Sequence, residues 1–171
     1  MKGIIVDSTH NTASVKNIKL TIITVLDSKQ ISYPVAYCIS NKEDEKTIEI
    51  FFKIVYNNLN VNSRIKITTL ITDDTLVYIN AARRVFPNLC KHYLCLWHVE
   101  KNFKKHIKSD IILTDKEQQK QISNNVLKIL QLIMTTNNKE EADNLVDNLK
   151  QSHRLIIPEF INYWRNITLI E

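Results

Sequence analysis

The chain of 171 residues holds a single glycine, Gly3, where average usage of about 7% would give roughly twelve. Phosphate-binding loops and dinucleotide fingerprints need several glycines, because backbone must approach phosphate closely. Nucleotide-triphosphate and NAD chemistry of the usual kinds is thereby excluded. Cysteine is also sparse: Cys38, Cys90 and Cys95 make an odd set, which is no disulfide framework and reads as reduced, intracellular thiols. No run approaches the ~18 apolar residues of a membrane span, so no membrane partner is expected. The opening Met1-Lys-Gly-Ile-Ile-Val-Asp7 has too short an apolar run for a signal peptide.

What remains is ordinary for a globular protein. Hydrophobic residues make up 44% and charged residues 24%, which argues against global disorder. The length suits one domain, or one domain with an appendage. The 25 Ile, 18 Lys and 18 Asn read as a coding bias, which lowers the weight of any single Lys or Asn.

Short-range patterns give an α/β order. Residues 3–7, 18–27 and 31–40 are β-branched or alternating and suggest strands. Asp27-Ser-Lys-Gln30 is turn-like, so the second and third runs pair as a hairpin, and Pro34 argues for a strand start or a sheet edge. Thr47-Ile48, Phe51-Phe52, Val55-Tyr56 and Leu59 then recur at helical spacing, with Asn41 or a neighbour as cap. Residues 65–72 read as a third long strand ending in Asp73-Asp74. A helix follows to Phe86, with Asp74 as its natural cap, and Pro87 stops it. Residues 89–95 suggest a short strand and 97–107 a basic helix. Residues 116–134, 138–152 and 158–166 carry helical periodicity alone. Hairpin strands followed by βαβ predict a mixed sheet flanked by helices, over residues 1–108, and then an all-helical region over 109–171.

Charge is unevenly spread. Residues 87–109 hold five basic residues and one acid, and the lysines are Lys91, Lys101, Lys104, Lys105 and Lys108. Such a stretch can meet a phosphate backbone, or it can be a solvated helix face. Asp7 and Asp73 each close an apolar run. If both runs are central strands, their carboxylates share one sheet edge and can hold Mg²⁺ or Mn²⁺, which prefer hard oxygen ligands. The alternative for each is a turn or capping residue. Cys95-Leu-Trp-His98 has the spacing of half a zinc site. Cys90, His92 and His106 are near in sequence, but complete no zinc module, and a buried thiol with a packed histidine is the alternative.

Several motifs then fall in one order. Thr72-Asp73 is followed by Tyr78-Ile79-Asn80-Ala81, by Phe86-Pro87, and by Cys95-Leu-Trp-His98 with a trailing Asn102. Upstream stand Asp7-Ser-Thr-His-Asn-Thr12, Tyr33-Pro-Val-Ala36 and Asn41-Lys-Glu43. Over residues 4–108 this resembles the MULE (Mutator-like element) transposase domain. The resemblance implies a ribonuclease-H-like fold, a DDE-type centre using Mg²⁺ or Mn²⁺, DNA as partner and nuclear action. It puts the first two acids on Asp7 and Asp73 and the Cys-x-x-His on Cys95 and His98, where zinc or a structural pairing is implied. The family's third acid, a Glu beyond a helical insertion, has no match, since Glu140, Glu159 and Glu171 lack its context. We therefore expect a transposase-derived fragment that does not cleave DNA as it stands. The alternative is a non-catalytic, DNA-binding or transcription-regulatory module domesticated from a transposase. The reading fixes no oligomeric state and admits pairing with a second copy.

Overall fold

The computed structural model describes residues 3–10, 17–27, 29, 31–73 and 75–153. Two compact units divide after Cys95. The first contains strands β1 (Gly3–His10), β2 (Lys19–Leu26), β3 (Ser32–Ser40), β4 (Thr69–Thr72) and β5 (Lys91–Leu94), with helices α1 (Glu45–Asn58), α2 (Val61–Ile65) and α3 (Leu76–Val85). The second contains α4 (Leu96–Asp110), α5 (Lys116–Thr135) and α6 (Lys139–His153). The basic helix α4, assigned from sequence to a domain over 1–108, thus groups with the helices that follow it.

The five strands form one sheet in the order β3-β2-β1-β4-β5. β1, β2 and β3 are antiparallel neighbours, whereas β4 runs parallel to β1 and β5 parallel to β4. This mixed α/β sheet is the ribonuclease-H-like arrangement. The hairpin is closed by Asp27, whose Oδ1 accepts the backbone N–H groups of Lys29 and Ile31 at 2.8 and 2.9 Å. Pro34, which has no N–H to donate, sits on the edge strand. There the register slips, with Ile23 opposite Ala36 and Thr24 opposite Pro34, so Val35 is an extra residue. With no glycine available for the turn before β2, Asn17 takes the left-handed conformation at φ 67°.

Two strands differ from the expected lengths. β1 continues past Asp7 to His10, because Ser8 and Thr9 go on pairing with Thr21 and Leu20 of β2. The long strand expected over 65–72 is only four residues. Ile65 ends α2, where the Asn60 side chain accepts the Ser63 N–H at 2.8 Å, and residues 66–68 form the turn that leads into the strand. The Arg64 guanidinium holds α2 down by donating to the carbonyls of Asn57 and Leu59 at 2.6 and 2.9 Å. The helix expected over 158–166 lies outside the described residues, as do Asp74, Glu159 and Glu171.

One core joins the sheet to α1 and α3. Ile4, Val6, Ile23 and Leu70 come from the strands, Ile48, Phe51 and Phe52 from α1, and Tyr78, Ile79, Ala81, Ala82 and Val85 from α3. α1 is started by Asp44, whose carboxylate accepts the Thr47 N–H at 2.8 Å. In the second unit α5 packs against both α4 and α6. Asp115 caps α5 through the N–H groups of Glu117 and Gln118.

Candidate functional site

The parallel pairing of β1 and β4 determines where the two aspartates stand. Gly3, Ile4 and Ile5 lie opposite Thr69, Leu70 and Ile71. Asp7 and Asp73 each follow the last of these pairs by two residues, so they share one register position. Ile4 and Val6 of β1 are buried with Leu70 and Thr72 of β4. Alternation therefore turns Asp7 to the other face, where it is exposed, while Asp73 is half-buried. Adjacent strands are about 4.8 Å apart, a spacing over which two carboxylates can reach one hard cation. Asp73 is also a turn residue: its Oδ1 accepts the Thr75 N–H at 3.0 Å. Thr75 is the residue that starts α3, in place of the expected Asp74, and it makes no side-chain cap hydrogen bond.

Two polar clusters adjoin these acids. In the first, the Tyr78 ring is buried and its hydroxyl donates to Glu43 Oε1 and lies 2.5 Å from Ser8 Oγ. Ser8 is in turn 2.6 Å from Thr21 Oγ1, and Glu43 is paired with Lys19 at 2.8 Å. The Tyr78 hydroxyl therefore links the residue after Asp7 to the helix that begins beside Asp73. Burial, and then the Glu43 carboxylate, push the Tyr78 phenol far above its ordinary value. Tyr78 and Glu43 both stand in the sequence motifs, but no local pattern marks them as partners.

The second cluster surrounds His92. The buried Thr72 hydroxyl donates to the Asp73 carbonyl at 2.8 Å and meets His92 Nε2 at the same distance. Since that hydroxyl proton is already used, Nε2 is assigned the N–H of the neutral ring. Nδ1 is buried without a hydrogen-bond partner among the described residues. Burial, and then the charge of Arg83, hold the His92 pKa below its ordinary value. The unfolded chain therefore takes up this proton before the folded one does. Stability from the neutral ring is full above about pH 6.5 and declines as pH falls below it. The melting temperature should drop more steeply from pH 7 to pH 5 in the wild type than in His92→Gln, and parallel curves would contradict this.

The predicted basic residues fall in both units. Lys91 is exposed at the start of β5, while Lys101 and Lys105 are exposed on α4 opposite its buried residues Val99, Phe103 and Ile107, and Lys104 and Lys108 are exposed toward its flank. Trp97 shares that outer face, with the Lys101 ammonium 4.9 Å from its ring centroid. Cys95 is a free, half-buried thiol at the end of β5, and its N–H donates to the Thr72 carbonyl at 2.6 Å. His98 lies in the first turn of α4, edge-on to Trp97 at 4.7 Å. Among the described residues no group of three or more His, Cys, Asp or Glu side chains is placed to hold a metal ion. A cavity of about 750 Å³ lies between β3 and α1, and neither aspartate lines it.

The family model described as MULE transposase domain matches residues 3–102, from the first residue of β1 into α4. The chain belongs to the MULE transposase family. No curated protein matches it. The MULE match spans Asp7, Asp73, the Tyr78 cluster, Cys95 and His98, and it ends before α5 and α6.

Proposed function

We propose that this MULE domain acts on DNA, with Asp7 and Asp73 holding a divalent cation for phosphodiester chemistry. The single observation that supports it is their shared register on adjacent parallel strands. The donor set suits Mg²⁺ or Mn²⁺, because both side chains offer hard oxygens and the exposure of Asp7 leaves room for water ligands. A bound cation would supply charge stabilisation to the attacking and leaving oxygens. The protein's own part is positional. Thr75 fixes one oxygen of Asp73, and the Tyr78–Ser8 link fixes the strand beside Asp7. Lys91, Lys101, Lys104, Lys105 and Lys108 would attract the phosphate backbone. Cys95 and His98 would serve as a structural pair or as half of a zinc site. With DNA as substrate, the place of action would be the nucleus.

A second reading is a DNA-binding or regulatory module without cleavage. It is favoured by the pairing of only Asp7 with Asp73 among the described residues, since two metal ions require more anchors than these two provide. Mn²⁺ titration tests the first reading. Binding is expected at a Kd on the order of 10⁻⁴–10⁻³ M, as for weak hard-cation sites. Asp7→Asn with Asp73→Asn should abolish it, and equal binding by the double variant would refute the site. A parallel nicking assay should show no cleavage by the chain as it stands. Metal-dependent nicking lost in the double variant would overturn that expectation and establish the enzyme.

A further inference from the structure

We infer that the groove between α4 and α5 is a second, metal-independent seat for the phosphate backbone of duplex DNA. The groove measures about 350 Å³ and lies wholly within the second unit. Lys104 and Lys108 of α4 face it from one side and Lys116 and Lys120 of α5 from the other, over Ile107 and Leu127. Neither Asp nor Glu is among its lining residues, and neither is an aromatic. Four ammonium groups, of which Lys104 is paired with Glu100 outside the lining, favour a polyanion. The missing aromatic surface leaves nothing on which a base could stack, so the seat reads charge and not sequence.

The spacing fits a repeating anion. Each lysine pair is separated by four residues, about 6 Å along its helix. One DNA strand carries a phosphate every 3.4 Å or so of helix axis, so each pair spans about two phosphates. Gln119 and Asn124 add amide donors at the same groove. Lys116 is pre-positioned by Gln119 Oε1 at 3.1 Å, whereas Lys104 is held by Glu100 at 2.7 Å and must be drawn from it. Glu140, Glu141, Asp143 and Asp147 lie on α6, and Glu100, Asp110, Asp115 and Glu117 lie on α4 or at the start of α5, but none of these acids lines the groove. The lysine composition of the chain therefore does not account for the groove by itself. Lys116 and Lys120 lie outside the family match and outside the basic stretch visible in sequence.

The inference rests on the proposed function only in naming DNA as the polyanion. It is tested on the full chain by fluorescence anisotropy with a labelled 20-base-pair duplex, over a series of KCl concentrations. For Lys116→Gln with Lys120→Gln, affinity at ~100 mM salt should fall about tenfold or more, and the log–log salt slope should shrink by about 2. Lys139→Gln with Lys150→Gln, on α6, is the charge-matched control and should leave the slope unchanged. Duplex binding by the wild type should persist in EDTA, with no divalent cation present. Absence of duplex binding in the wild type overturns the inference, as does a groove variant that matches the wild type or the α6 control. So does groove-dependent binding to anionic lipid vesicles with none to duplex. A weakened groove variant in a protein that holds no Mn²⁺ at Asp7 and Asp73 would uphold the seat and refute the metal site.

Discussion

Phe52→Ala is expected to lower the unfolding free energy by about 3–5 kcal/mol, as for other fully buried aromatic truncations. The Phe52 side chain has no solvent exposure, and its ring packs between Phe51 and Phe86 at centroid distances of 6.1 and 5.5 Å. It is the point at which α1 meets the end of α3, since Phe86 follows that helix directly. Truncation removes the apolar area and leaves a void in a core whose other members, Ile48 and Leu70 among them, are already buried and poorly able to rearrange. A whole domain is stable by only about 5–15 kcal/mol, so this loss is a large fraction of the total. Tyr37→Ala is the comparison: the side chain is 59% exposed on the edge strand, and its removal should cost less than ~0.5 kcal/mol. Urea denaturation of the two variants measures the contrast. A Phe52 variant within 1 kcal/mol of the wild type would mean that α1 does not close this core.

The parts of the fold that could be read from sequence are those set by neighbours in the chain. The β2–β3 hairpin was legible because Asp27 carries the turn in its own side chain. The edge position of β3 was legible because Pro34 lacks a donor. β4 is shorter than its sequence suggests, because Ile65 and Ile67 carry the same β-branched signal whether they lie in a strand or, as here, at a helix end and in the turn after it. The Asn60 cap and the Arg64 anchor that decide between them are polar contacts with no periodicity. Asp7 and Asp73 were identified from strand-like runs and from motif order. Their common register depends on a parallel pairing of residues 66 apart, from Gly3 to Thr69, and no local pattern specifies that. The groove lysines were hidden for another reason. In a chain with 18 lysines, Lys116 and Lys120 carry no individual signal until α5 is seen packed against α4.

The Tyr78 cluster was the least legible part of the site, and it leads to the second large effect. Its hydroxyl partners, Glu43 and Ser8, are 35 and 70 residues away in sequence. Tyr78→Phe retains the buried ring and deletes only the hydroxyl. A hydrogen bond to a charged acceptor contributes about 1.5–3 kcal/mol, and a loss in that range is expected. Lys19 still balances Glu43 in the variant, and Thr21 still meets Ser8, so the loss should not exceed it. A double-mutant cycle with Glu43→Gln isolates the bond, and a coupling of about 1 kcal/mol or more is expected. Additive effects would mean that the contact is geometric only. The raised phenol pKa gives an independent readout. Above about pH 10 the unfolded chain loses this proton while the folded chain keeps it, so wild-type stability falls with further rise in pH. Tyr78→Phe removes the ionising group, and its stability should fall less steeply over the same range. If the hydroxyl also positions the strand beside Asp7, Mn²⁺ affinity should drop in Tyr78→Phe at temperatures where the variant is fully folded. Unchanged affinity there would confine Tyr78 to the core, and would leave the register of β1 and β4, with the Thr75 N–H on Asp73, to set how the two carboxylates meet.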